Sequence, residues 1–86
     1  MIRLTLITRR DCHLCEEMAA VIDDVRGTFP VELEVRDVDA DPDLLRQYSD
    51  EVPVLLIGGR KAFKYRVTAR DLTRRLRDEQ RRAARQ

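Results

Sequence analysis

Eighty-six residues, 43% hydrophobic and 38% charged, suit one domain with a modest core and a densely charged surface. No apolar run approaches the roughly 20 residues of a membrane span, and Met1 to Thr8 is too short for a secretory leader and lacks its three-part layout. The net charge of +1 gives no reason to expect a nucleic-acid partner.

Ile2 to Ile7 reads as a strand. Ile2, Leu4 and Leu6 share one face by period-two alternation, and Ile7 begins the other. Thr8-Arg9-Arg10-Asp11 is a polar loop, and Cys12-His13-Leu14-Cys15 follows. From His13 on, Leu14, Met18, Val21, Ile22 and Val25 lay one stripe along a helix, with Gly27 as its stop and Phe29-Pro30 confirming the break. Val31 to Arg36 alternates apolar and charged residues, as a strand near a sheet edge does.

Asp41 is placed to cap a short helix, with Pro42 at its first position and Asp43 to Tyr48 as its body. Glu51-Val52-Pro53 leads into Val54-Leu55-Leu56-Ile57, a run that fits a strand buried on both faces. Gly58-Gly59 predicts a two-residue hairpin turn, and Arg60 to Tyr65 returns as the partner strand. Thr68-Ala69-Arg70-Asp71 has the form of a capping box for a last helix through Leu72 and Leu76. Past about Arg77 the apolar signal thins, and fraying is expected over Arg81 to Gln86. The predicted order is βαβαββα. Its first βαβ unit requires parallel strands, and its Gly-Gly turn requires an antiparallel pair.

Charge is split along the chain. Residues 1–59 carry 6 Lys/Arg and 13 Asp/Glu, and residues 60–86 carry 11 and 3. The two parts can attract each other in the fold, or the basic end can face an acidic partner. The arginines at 70, 74, 77 and 81 form a stripe that reads first as a solvated helix face.

The chemistry centres on the cysteines. Two thiols three residues apart, on the first turn of a helix after a strand, can close a small disulfide ring and open it again. In a reducing cytoplasm, the default location here, that bond is transient and catalytic. Cys12 lies near unpaired backbone N–H groups that favour its thiolate, so it is the expected nucleophile. Cys15, one turn further in, is the resolving thiol. Arg9 and Arg10 are candidate thiolate partners or ordinary loop charges, while Asp11, Glu16 and Glu17 oppose them. His13 either tunes Cys12 or faces solvent.

With Cys-x-x-Cys after the first strand, Val52-Pro53 before the third and the Gly58-Gly59 hairpin, the chain resembles the glutaredoxin-like branch of the thioredoxin fold. The resemblance spans nearly all of residues 1–86. It implies one glutaredoxin-like α/β domain with a four-stranded mixed sheet in order 2-1-3-4, strand 3 antiparallel and helices on both faces. It also implies that Pro53 is cis and sits against the cysteine pair. There is no Trp, His13-Leu14 lies between the cysteines, and Phe63 to Thr68 has no glycine where dithiol glutaredoxins hold glutathione with a Gly-Gly pair. The closest likeness is to small glutaredoxin-like proteins without that signature.

The reading is therefore a dithiol oxidoreductase. Cys12 and Cys15 are its catalytic residues, and Val52, Pro53, Arg9, Arg10 and His13 its substrate-binding residues. The substrate is a disulfide-containing protein or a small-molecule disulfide, and the chain acts as a monomer. No bound cofactor is expected, and the electron donor is left open among glutathione, a thioredoxin reductase and another thiol. Two alternatives stand beside it. One is a binding module that keeps the fold without turnover. The other is a metal or iron–sulfur protein, although Cys12, His13 and Cys15 offer at most three ligands where structural zinc takes four. Phe63 and Tyr65 are assigned to core or strand filler, or to the substrate groove.

Overall fold

The computed structural model describes residues 1–85. The chain runs β1 (Ile2–Thr8), α1 (His13–Arg26), β2 (Val31–Asp37), a 3-10 turn (Val38–Ala40), α2 (Pro42–Tyr48), β3 (Val54–Ile57), β4 (Arg60–Lys64) and α3 (Ala69–Ala84). The four strands form one sheet in the order β2-β1-β3-β4. β1 pairs with β2 in parallel, from Ile2 opposite Val31 to Thr8 opposite Asp37. That parallel pairing needs a long crossover, which α1 supplies. β3 lies antiparallel to both neighbours, with Ile7 opposite Val54 and Ile57 opposite Arg60. Gly58 and Gly59 turn the β3–β4 hairpin at φ 59° and 83°, the left-handed backbone that such a turn demands. A register shift between Leu55 and Leu56 leaves Ala62 of β4 without a partner and bends the hairpin.

The sheet separates two apolar clusters, as the alternation in β1 requires. Leu4 and Leu6 pack with Met18, Ile22 and Val25 of α1 and Leu72 and Leu76 of α3. Ile7 points the other way, against Val38 and Val54, with Leu44 and Tyr48 of α2 lying over them. All three helices begin on side-chain caps. Asp41 accepts from the N–H groups of Asp43 and Leu44, and the Thr68 hydroxyl accepts from Asp71 N–H at 3.0 Å. The cap of α1 is Cys12 itself.

Several boundaries differ from expectation. The buried stripe of α1 is Cys15, Met18, Ile22 and Val25, with Leu14 and Val21 only partly covered. Met18, Ile22 and Val25 are buried as expected, and Cys15 takes the place of Leu14 at the head of the stripe. Gly27 ends α1 in right-handed backbone at φ −65°, so its freedom to adopt positive φ is not used. Val35 is 60% exposed, because β2 is an edge strand and no helix reaches its far end. β4 stops at Lys64, since Tyr65 takes φ 69° and leaves the ladder. α3 continues to Ala84 instead of fraying from Arg81; Arg60, Arg75 and Arg82 around Glu79 support its last turns. Gln86, also expected to fray, lies outside the described residues. Among the described residues no helix is long and apolar enough to cross a membrane.

Candidate functional site

The loop between β1 and α1 carries the thiol pair. Asp11, at φ 54°, turns the chain off the strand; aspartate tolerates this left-handed backbone better than most residues. Cys12 then takes extended backbone as the N-cap, and the helix begins at His13. Cys12 and Cys15 are joined by a disulfide, with Cα atoms 5.2 Å apart. The Cys12 sulfur also accepts the Cys15 backbone N–H at 3.1 Å. A sulfur therefore occupies the capping position that an oxygen fills in the other two helices. Cys12 is half-buried and Cys15 is 4% exposed, at the head of the core stripe. Cys12 thus keeps part of its surface in contact with solvent, whereas Cys15 is almost wholly covered.

The same end of the sheet brings Val52 and Pro53 to this loop. Ile7 pairs with Val54, so the chain leaving β1 and the chain entering β3 emerge side by side. The Val52–Pro53 peptide is cis, Pro53 is buried and Val52 is half-buried. Val52 makes no backbone–backbone hydrogen bond among the described residues.

The segment is strapped on both sides. Tyr65 N–H donates to the Pro53 carbonyl at 2.8 Å, and its hydroxyl donates to the Asp50 carbonyl at 3.2 Å. Lys61 Nζ donates to Glu51 at 2.5 Å. That hydrogen bond holds the Glu51 carboxyl below the usual carboxylate range and raises Lys61. On the other side Arg9 donates to both carboxylate oxygens of Asp39, at 2.9 and 3.2 Å, and to the Ser49 carbonyl at 2.9 Å. The fork-to-carboxylate hydrogen bond lowers Asp39 and raises Arg9.

These contacts sort the residues predicted to bind substrate. Val52 and Pro53 stand at the thiol end of the sheet. Arg9 does not serve as a thiolate partner: its guanidinium is committed to Asp39 and Ser49 and ties β1 to the 3-10 turn and the end of α2. Arg10 is exposed and makes no ion pair among the described residues. His13 is exposed on the first turn of α1, with Nε2 3.4 Å from Glu17. Glu17 also faces Arg66 at 3.8 Å, so part of its charge near the thiols is offset. The backbone N–H of Cys15 remains the direct donor to the Cys12 sulfur.

Tyr65 is the residue that sequence reasoning missed as a support. It is 41% exposed, outside the strand, and holds Asp50 and Pro53 in place. It also lines a groove of about 590 Å³, with Arg66, Val67, Glu17, Val21 and Asp71, between α1 and the β4–α3 connection. No glycine opens the backbone there. Among the described residues no three His, Cys, Asp or Glu side chains converge as a metal site. The two thiols fall short of the four ligands of structural zinc.

A βαβαββα sheet with a disulfide-joined Cys-x-x-Cys pair at the first helical turn defines a thioredoxin-like fold carrying a redox-type cysteine centre. Solved structures agree. The chain is similar to protein Ne2328 from Nitrosomonas europaea, at 32% identity over 84% of this chain and 87% of that one, with a TM-score of 0.74. It is similar to protein XcR50 from X. campestris, at 30% identity over 87% and 96%, with a TM-score of 0.69. Mitochondrial thioredoxin 3 from Saccharomyces cerevisiae shares the fold, at 19% identity over 90% and 77% and a TM-score of 0.69. The chain belongs to the glutaredoxin-like domain family (DUF836), whose model matches residues 3–77. No curated protein matches it.

Proposed function

We propose that this chain is a dithiol thiol–disulfide oxidoreductase that reduces protein or small-molecule disulfides. The observation that carries the reading is the Cys12–Cys15 disulfide at the start of α1, with the outer sulfur accepting a backbone N–H and the inner one buried. In the reduced protein that N–H stabilises a Cys12 thiolate, the reactive form of a thiol. The thiolate attacks one sulfur of the substrate disulfide. A Cys12–substrate disulfide forms, and the other substrate sulfur leaves as a thiolate, which takes up a proton. Cys15 loses its proton and attacks the Cys12 sulfur, forming the intramolecular disulfide and releasing the second substrate thiol. Two electrons pass from the protein dithiol to the substrate. An external dithiol, or two monothiols such as glutathione, then reduces the pair again.

The free N–H and C=O of Val52 align an extended substrate segment beside Cys12 in a short β-like pairing, and Tyr65 and Lys61 keep that segment in place. The protein works as a monomer in a reducing cytoplasm. The test is reduction of insulin and of bis(2-hydroxyethyl) disulfide, with glutathione or a thioredoxin reductase as donor. Turnover is expected with at least one donor, and Cys12→Ser abolishes it. Full activity in Cys12→Ser removes the assigned nucleophile. A Cys12–Cys15 bond that none of these donors reduces makes the chain a binding module.

A further inference from the structure

α3 treats its arginines in two ways. On one side Glu79 gathers Arg60, Arg75 and Arg82 within 4.0 Å. On another, Arg70, Arg74 and Arg77 make no ion pair among the described residues, and Arg81 meets only Asp78 of its own helix. These four share one stripe, at steps of four, three and four. With Ala69 and Thr73 they line a shallow concavity of about 460 Å³. The stripe is about 17 Å long at ~1.5 Å per residue.

Its position follows from the grooves at the two ends of α3. The first turn of α3 borders the groove that Glu17 and Arg66 line, through Thr68 and Asp71. The far end of α3 packs near Met1, Ile2 and Gly58, at the opposite end of the sheet. The stripe therefore leads away from the thiol end along the outside of the molecule.

We propose that the Arg70–Arg74–Arg77–Arg81 stripe docks an acidic segment of the protein whose disulfide is exchanged; this rests on the oxidoreductase reading above. Guanidinium forks match carboxylates, and unpaired ones give up no internal partner on binding. A segment of about five extended residues, at ~3.3 Å each, covers the stripe. Nucleic acid is disfavoured because no aromatic side chain lies among the arginines to stack on bases, and because residues 1–59 carry 13 acids against 6 bases. A membrane surface is disfavoured because no large apolar residue lies among them to enter the lipid.

The test compares two peptides that share one internal disulfide, one flanked by five glutamates and the other by five glutamines. The enzymes are the natural chain and the triple variant Arg70→Gln/Arg74→Gln/Arg77→Gln, with matching circular dichroism as the check on folding. At low salt the natural chain reduces the glutamate peptide with about tenfold higher kcat/KM than the glutamine peptide, the gain lying in KM. The triple variant loses that preference and keeps its rate on uncharged bis(2-hydroxyethyl) disulfide. Equal rates on the two peptides with the natural chain overturn the proposal, as does a preference that survives in the variant. So does variant-sensitive binding of a DNA duplex or of phosphatidylserine vesicles that is tighter than binding of the glutamate peptide. A natural chain inert toward bis(2-hydroxyethyl) disulfide counts against the oxidoreductase reading alone. Fluorescence anisotropy of a labelled glutamate peptide with serines for cysteines then still reports on the stripe.

Discussion

Replacing Cys15 by serine is expected to halt exchange after its first half. Cys12 still attacks the substrate and forms the mixed disulfide, but nothing within the molecule releases it. The structure sets the size of the effect. The two residues share one helical turn with Cα atoms 5.2 Å apart. A thiol confined to a sphere of about 5 Å radius around its target has a local concentration on the order of 3 M. Against about 1 mM external thiol, its loss lengthens the life of the mixed disulfide on the order of a thousandfold. The assay reduces the variant, adds a disulfide-linked peptide, quenches with acid and weighs the intact protein over time. The variant accumulates a protein-plus-peptide mass on Cys12, while the natural chain passes to its internal disulfide without a lasting adduct. Cys15→Ala serves as a second variant, because a hydroxyl at this 4% exposed position can disturb packing. Turnover of both variants at the natural rate with no adduct, or capture of the peptide on Cys15 by Cys12→Ser as quickly, refutes this order of attack.

Leu72→Ala deletes a fully buried side chain of α3 and costs about 2–5 kcal/mol by urea unfolding. That is a large part of the roughly 4–13 kcal/mol expected for a chain this size; a loss below about 1 kcal/mol contradicts the packing described. Thr68→Ala removes the cap of α3 and costs about 1 kcal/mol, with Thr68→Ser recovering most of it. Asp39 and Glu51 are held below the usual carboxylate range by Arg9 and Lys61, so both favour the folded chain while ionised. Their contribution is present above the unfolded carboxylate pKa of about 4 and fades as pH falls through the lower folded values. Urea midpoints measured between about pH 2 and 5 should drop on acidification, and less steeply in Asp39→Asn; identical slopes count against the Arg9 strap.

Local chemistry made the thiol site legible in the chain. Two cysteines a helical turn apart, a Gly-Gly turn and the caps Asp41 and Thr68 each report their surroundings through nearest neighbours. The contacts that shape the site come from residues distant in sequence. Arg9 reads as a loop charge beside a thiol, but its partners are 30 and 40 residues away, and only the stacking of the 3-10 turn and α2 on the sheet brings them close. Tyr65 reads as a strand residue, because a positive φ in a tyrosine comes from what it holds, here Asp50 and Pro53, and not from its own preference. Val35 fits the alternation of β2 yet stays exposed, since period two says which face a residue shares and not whether anything covers that face. Cys15 leads the buried stripe of α1 in place of Leu14, since helical spacing leaves several neighbouring apolar positions and tertiary packing selects which of them are covered.

The uneven split of the apolar interior has a mechanical side. Ten buried residues lie in the cluster under α1 and α3, and three in the one under α2, whose seven residues include none that is fully buried. Amide protons of α2 should therefore exchange with deuterium well before those of the other two helices. The sulfurs sit at the start of α1, a helix of the larger cluster, while the backbone around Val52 adjoins the smaller one. In the exchange proposed above, such a pairing of anvil and cushion lets one fixed sulfur pair meet disulfides of differing shape.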